Sequence, residues 1–444
     1  MVIEDAPARV QALKVEGGVR LSGEIEVEGS KNAALPMMAA TLLTRDKVVL
    51  RNVPQLMDID TMALILLELG VRPQWLDDHT MEFQVVDENI TEAPSSLVRE
   101  MRASICVMGP LLARRKEARV YMPGGCVIGD RPVDLHIKGF KALGADVNVD
   151  HGDIVAGAER LKGQEVYLGG MYGSTVLGTA NVMCAATLAD GVTVIDNAAC
   201  EPEVEDLSRM LNAMGARISG VGSKRLVIEG VKELHGVEYT IIPDRIEAGT
   251  YMAAGAITGG DVRLKGARPD HMGAVIEAFR KMGIMVQTGQ GAIRVKGPSR
   301  IKCTDLATEP FPGLPTDLQA PLMALLSMAD GISVFTERVF PDRFMHIAEL
   351  NRLGARIRKE NATSIIAGVD RLSGAHVMAS DLRAGAALVI AGLAAEGETV
   401  VSRAYHIDRG YERIEKRLAS LGARITRFDE EIRRRPPSLA PAGG

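Results

Sequence analysis

Aromatic side chains are scarce, at 4% of the 444 residues, with a single tryptophan. The net charge is −5, and no Lys/Arg stripe is interleaved with aromatics. Both features exclude nucleic acid as the expected partner, because that binding needs a basic footprint or stacking platforms. The five cysteines (Cys106, Cys126, Cys184, Cys200, Cys303) form no C-x-x-C pair. Such a set builds neither a disulfide framework nor a structural zinc site, and it points to a reducing, cytoplasmic compartment. The eight histidines show no metal-ligand spacing. Gly, Pro or charge breaks every apolar run before about 18 residues, so no membrane span is expected. The N-terminus lacks the basic-then-apolar order of a signal peptide. What is present is 46% hydrophobic and 25% charged, an ordinary globular composition on a chain long enough for two domains or more. An anionic small molecule stays open as a ligand, since clustered arginines can act against an acidic average.

The chain repeats itself. A helix-like run ends in Leu-Gly or Met-Gly at Gly70, Gly144, Gly215, Gly283, Gly354 and Gly422, and successive glycines lie 74, 71, 68, 71 and 68 residues apart. Each suits a helix C-terminus that needs a left-handed residue. Upstream in each unit the pattern predicts an apolar, Ala-rich helix: 33–43, 103–113, 179–188, 249–257, 318–328 and 384–394. Strands are expected after five of these helices, at 48–50, 192–195, 262–264, 332–335 and 399–401. Each unit reads strand–helix–strand–helix–strand–strand, and repeats of this length are whole supersecondary units that share a core. The last unit stops after one strand, and two strand-like pieces in 11–28 are placed to supply what it lacks. The Arg- and Pro-rich stretch 433–444 reads as disordered.

The repeat aligns the polar residues. The first helices open with Lys31-Asn32, Arg102, Ser174-Thr175, Arg245, Asp317 and Asp381-Leu-Arg383. Acids at a helix start are expected as caps, whereas Lys and Arg oppose the helix dipole. Lys31, Arg102, Arg245 and Arg383 therefore call for either a bound anion or a salt bridge between units. A second set of loops carries Cys126 and Arg131, Glu201 and Glu203, Arg343 and His346, and His406 and Arg409. Cys126 follows a strand expected at 118–122 and lies between glycines, with Arg131 five residues on. Exposure and positive charge are what a reactive thiolate needs; a small buried hydrophobe is the other reading of a free cysteine. If equivalent ends converge, the resulting cluster suits a substrate with several negative charges, such as a phosphorylated carboxylic acid.

These residues resemble the enolpyruvyl transferase family over nearly the whole chain, from about Leu13 to Phe428. The stretches that carry the resemblance are 29–36, 101–104, 123–136, 243–247, 315–319, 343–346, 381–383 and 405–414. Most specific is Cys-x-Ile-Gly-x-Arg-Pro-Val-Asp-Leu-His at 126–136. The resemblance implies an α/β chain folded as a two-domain inside-out α/β barrel of six βαβαββ units, three per domain. Residues 31–242 would form one domain, and residues 1–30 with 243–430 the other; residues 431–444 are left as a tail. It implies transfer of the enolpyruvyl group of phosphoenolpyruvate to the 3′-hydroxyl of UDP-N-acetylglucosamine, releasing phosphate, with no metal or organic cofactor. By the family pattern Cys126 is the proton donor, on a loop acting as a lid, and the residue a fosfomycin-type epoxide alkylates. Asp317 is the base beside the sugar hydroxyl. Lys31 and Asn32 hold phosphoenolpyruvate, and Arg131, Arg383 and Arg409 complete the anion clamp. Arg102, Arg131, Pro132, Val133, Asp134, Leu135, Asp317 and Val339 contact the nucleotide sugar. A monomer is compatible with the pattern.

One segment departs from it. Where the family often has Lys-x-Ser-Val-Gly-Ala, this chain reads Gly173-Ser-Thr-Val-Leu-Gly178. Thr175 and Val176 match in kind, but the lysine is absent. That departure keeps a different acceptor open. A non-catalytic paralogue that binds the nucleotide sugar is the third reading, and its signature would be loss of Cys126, Lys31, Asp317 or Arg409; all four are present.

Overall fold

The computed structural model describes residues 8–122, 124, 133–171, 173–289 and 291–432. Cys126, Arg131 and Pro132, and the stretch from 433 onward, lie outside the described residues.

The buried apolar side chains fall into two clusters. One draws on residues 33–241; the other joins 13–27 to 246–425. Each lobe centres on three helical runs that are mostly apolar and mostly buried. In the first these are Lys31–Ala40, Arg102–Val107 with Met108–Arg115, and Val176–Ala186. In the second they are Arg245–Ile257, Gln319–Leu326 and Leu382–Ala394. A helix without a polar face must be enclosed, and here the sheets and amphipathic helices enclose it. Helices thus fill the centre of each lobe and sheets form its outside, the reverse of an ordinary barrel. All six Leu-Gly and Met-Gly glycines have positive φ, between 76° and 103°, as their placement at helix ends predicts.

The sheets show how the units are stitched. In five of the six, the strand after the central helix pairs antiparallel with the second strand of its own unit's hairpin, as Val192–Asp196 does with Arg225–Glu229. In the last unit that partner is Ala8–Glu16, which pairs with both Glu398–Ser402 and Arg424–Ile432. The first N-terminal piece therefore completes the last unit, as expected. The second does not: Ser22–Glu26 pairs in parallel with Asp261–Lys265 of the fourth unit. The equivalent place in the first unit is taken by Glu238–Thr240, paired in parallel with Val48–Arg51. Relative to the repeat, the first and fourth units exchange their opening strands, so that each pairs within its own lobe, and the chain crosses between the lobes twice. At the crossing Gly29 bridges Pro243, and a Cβ on Gly29 would fall 1.6 Å from the Asn52 carbonyl oxygen, so only glycine fits there.

The second unit differs from expectation within its central run. Instead of one continuous helix it has a 3₁₀ stretch, Arg102–Val107, followed by α-helix Met108–Arg115. Among the described residues no helix is long and apolar enough to cross a membrane.

Candidate active site

Lys31 and Asn32 open the helix Lys31–Ala40, whose N-cap is Ser30. Lys31 is buried, and its Nζ lies 2.9 Å from Asp58 Oδ2. The other oxygen of Asp58 accepts from Arg409 Nε at 2.8 Å. Lys31 and Asp58 belong to the first lobe and Arg409 to the second. Burial works against ionising Asp58, but Lys31 and Arg409 outweigh it and hold the carboxyl below its usual range.

A second anion sits opposite. Asp317 Oδ1 accepts from Arg343 Nη1 at 2.8 Å, and Oδ2 faces Arg383 Nη2 at 3.2 Å and Nε at 3.4 Å. Asn32 Nδ2 reaches the same Oδ2 at 3.5 Å from the other lobe. Burial again opposes charge, and Arg343, Arg383 and Lys31 overcome it, so the Asp317 carboxyl is held far below the ordinary carboxylate range. A carboxylate so gripped is a strong acceptor and a weak base.

Of the two acids at helix starts, only Asp381 is an ordinary cap: it accepts from the N–H groups of Arg383 and Ala384. That cap fixes the start of Leu382–Ala394 and hence Arg383, which is 1% exposed with its guanidinium 5.0 Å over the Tyr411 ring.

Arg245 instead pairs across the lobes with Glu203, at 2.9 and 3.2 Å, and Glu201 Oε1 accepts from the Phe311 N–H at 3.3 Å. Glu247 accepts from the Glu28 N–H at the crossing. These four side chains join the lobes and the crossing. His346 is buried against Met323, and burial brings its pKa down to about 4, leaving it neutral.

Arg102 opens the 3₁₀ stretch of the second unit and is half-buried. Val133 is buried, Asp134 is exposed at the start of helix Asp134–Ala142, and Leu135 is half-buried. Leu135 approaches the short hairpin Gly169–Gly170/Gly173–Ser174, lying 3.3 Å from where a Cβ on Gly170 would be. Thr175, in the departing segment, caps Val176–Ala186 by accepting from the Gly178 N–H at 3.2 Å. Gly173 faces Pro310 of the second lobe. Val339 donates its N–H to Glu337 Oε1 at 2.8 Å.

Two carboxylates in this region escape a sequence reading. Asp58 falls in the first turn of Met57–Glu68, where an acid is ordinary, so nothing in the pattern marks it. Glu337 is buried and takes the hydroxyls of Thr308 and Thr316 and the N–H groups of Val339 and Phe340. It ties the Val339 loop to the residue preceding Asp317. The arrangement as a whole presents cations from both lobes around two fixed anions, which suits a small polyanion able to replace a carboxylate partner.

A family model described as EPSP synthase (3-phosphoshikimate 1-carboxyvinyltransferase) matches residues 15–418. UDP-N-acetylglucosamine 1-carboxyvinyltransferase of Methylacidiphilum infernorum (isolate V4) is 53% identical over 418 residues, covering 94% of this chain and 99% of that protein. Among solved structures, the enolpyruvyl transferase NikO from Streptomyces tendae superposes with a TM-score of 0.86 at 24% identity, over 95% of this chain and 100% of that one. An EPSP synthase from Acinetobacter baumannii gives 0.70 at 19% identity, over 95% and 100%. At these identities the solved structures speak for the fold: a two-domain, inside-out α/β architecture.

Proposed function

The chain belongs to the enolpyruvyl transferase family, and from that premise we propose that it moves the enolpyruvyl group of phosphoenolpyruvate onto the 3′-hydroxyl of UDP-N-acetylglucosamine, releasing phosphate. The relative at 53% identity is named for this transfer. The observation that carries the reading is the paired ion cluster at the lobe junction: Lys31 and Arg409 on Asp58, Arg343 and Arg383 on Asp317, with Asn32 reaching across.

In this reading residues 31–242 make one domain and residues 1–30 with 243–430 the other, with the substrates between them. The reaction is addition then elimination. A proton goes to the methylene carbon of phosphoenolpyruvate, and the neighbouring carbon becomes cationic. The sugar hydroxyl attacks that carbon and gives up its own proton, forming a tetrahedral phospho-lactyl intermediate. Phosphate then leaves with a methyl proton, and the double bond returns. Cys126 delivers the first proton. Lys31, Arg131, Arg383 and Arg409 neutralise the phosphate and carboxylate, supplying fixed charge where negative charge concentrates, and Asn32 helps Lys31 hold phosphoenolpyruvate. Arg102, the segment from Arg131 through Pro132, Val133 and Asp134 to Leu135, and Val339 hold the nucleotide sugar.

Asp317 takes the hydroxyl proton. While two guanidiniums hold it, its basicity is low; the carboxylate of phosphoenolpyruvate, arriving at Arg383, draws one of them away and restores it. The order of events follows from charge: the anionic donor must be seated before the hydroxyl can be deprotonated. The product is a precursor of peptidoglycan, and the enzyme works in the cytoplasm.

The test is phosphate release with phosphoenolpyruvate and either UDP-N-acetylglucosamine or shikimate 3-phosphate. Release with the nucleotide sugar alone is expected. Release with shikimate 3-phosphate alone would move the assignment to another acceptor.

A further inference from the structure

Asn181 lies in the middle of the apolar helix Val176–Ala186 and is 1% exposed. A carboxamide in such a place costs free energy unless every polar atom is bonded. Its Oδ1 accepts from the Gly109 N–H at 2.6 Å, and its Nδ2 donates to the Ile105 carbonyl at 2.8 Å. Gly109 and Ile105 stand in the i and i−4 relation of one helical hydrogen bond. The carboxamide is thus inserted into the backbone ladder of the neighbouring run. A side chain inserted there breaks a helix locally, which accounts for the change from 3₁₀ to α between Arg102–Val107 and Met108–Arg115.

The same Nδ2 lies 3.1 Å from Nδ1 of His136. The two backbone partners settle which way the amide points, since an N–H can only donate and a carbonyl can only accept. Nδ1 of His136 must therefore accept, and the neutral ring carries its proton on Nε2. Two glycines bring the neighbouring helices close enough for these bonds. A Cβ on Gly109 would fall 2.1 Å from the Asn181 carbonyl oxygen, and one on Gly139 2.2 Å from Val182 Cγ2.

Three segments meet at this amide: the run that opens with Arg102, the helix that carries Asp134 and Leu135 two and one residues before His136, and the helix capped by Thr175. We propose that Asn181 is a positioning residue that holds the two nucleotide-sugar-contacting segments of the first lobe in register with each other and with the helix capped by Thr175. The proposal rests on the acceptor reading given above. Asn181 touches no reacting atom; it acts through Arg102, Leu135 and the Thr175 cap.

The experiment is steady-state kinetics on the full-length enzyme with Asn181→Leu and Asn181→Ala. Leu matches the volume and leaves Gly109 N–H and Ile105 C=O without their partner. Ala leaves room for a bridging water and keeps the test open if the Leu variant does not fold. Ser208→Ala is the control: Ser208 is buried and its hydroxyl bonds to Val204 O, beside Met183 of the same helix. The expected result is a rise of about tenfold in KM for UDP-N-acetylglucosamine, with kcat and KM for phosphoenolpyruvate within about twofold, the pattern of lost uniform binding. Ser208→Ala should lower the unfolding midpoint without this split. Parallel movement of both KM values, or of neither, overturns the proposal. If the unaltered enzyme shows no turnover with UDP-N-acetylglucosamine, the functional reading fails, and the network is judged from the nitrogen resonances of His136. An unprotonated Nδ1 that changes in Asn181→Leu supports the arrangement, and a protonated Nδ1 in the unaltered enzyme overturns it.

Discussion

Asp58 and Arg409 are 351 positions apart in the chain and meet at 2.8 Å. Because the second oxygen of Asp58 holds Lys31 at 2.9 Å, one carboxylate sets the spacing of two cations that come from different lobes. A phosphate group seated between those cations would meet them already aligned, and the anion that aligned them is the one it must displace or share.

Replacing Asp58 by alanine removes the buried carboxylate that Lys31 and Arg409 share. Loss of one partner from a buried ion pair costs about 3 kcal/mol or more, and kcat/KM for phosphoenolpyruvate should fall by about tenfold or more, each tenfold being about 1.4 kcal/mol. The carboxyl is held below its ordinary range, so its contribution is present above that range and disappears as pH falls below about 4. Urea unfolding of both proteins should therefore show the stability gap at pH 7 and its closure on acidification. A gap that stays constant to low pH would rule out the ionised carboxylate as its source.

Asp317→Asn keeps the shape and removes the charge that Arg343 and Arg383 grip. Phosphate release in a single turnover should slow by about a hundredfold or more, the range lost with a positioned proton acceptor. Binding of phosphoenolpyruvate should tighten or stay the same, since two guanidiniums are released. Weaker binding with unchanged turnover would reassign Asp317 to a purely structural part.

Cys126→Ser should lose about a hundredfold or more in turnover, as expected for a missing general acid. Fosfomycin should add once to the unaltered protein, with the adduct on the peptide containing Cys126 and none on the Ser variant, read by intact mass and peptide mapping. Burial pushes the Cys106 thiol up to about 12 and raises that of Cys184 as well, so neither competes as a thiolate. An adduct on Cys303 alone would count against the assignment.

Glu247 supplies a pH dependence of the opposite sense. Burial drives its carboxyl up to about 8, against the pull of Arg417. The folded protein then binds a proton that the unfolded chain has released, and stability falls as pH rises from the ordinary glutamate range towards 8. Glu247→Gln removes that loss and can keep the acceptor for the Glu28 N–H. It should be more stable than the parent by about 1–3 kcal/mol at pH 8.5 and lose the advantage near pH 5. Equal stability at both pH values would place the proton elsewhere.

What the sequence made legible was local. The six glycines stand at helix ends because the left-handed backbone is a one-residue property. The helix starts at Lys31, Arg245 and Arg383 follow from apolar runs and capping residues such as Asp244 and Asp381. What stayed hidden depends on which segments meet. A strand-like piece was legible at Ser22–Glu26, but its pairing with the fourth unit, like that of Glu238–Thr240 with the first, is set by partners far along the chain. Asp58 looked like any acid in a first helical turn. Asn181 sat in an Ala-rich run, and its insertion into another helix's ladder has no signature in its own. Cys126, Arg131 and Pro132 rest on their motif alone, being outside the described residues.

The exchanged strands also govern how the molecule can be made. Ala8–Glu16 emerges from the ribosome before either lobe, yet both its partners, Glu398–Ser402 and Arg424–Ile432, follow only after the first lobe and most of the second. Meanwhile the first lobe cannot close its own sheet until Glu238–Thr240 appears. A nascent chain therefore carries exposed strand edges through most of its synthesis, the condition under which β segments seek wrong partners. Cutting the gene at the second crossing would part Ala8–Glu16 and Ser22–Glu26 from their partners, whereas a permuted gene that begins there would let each lobe finish before the next begins.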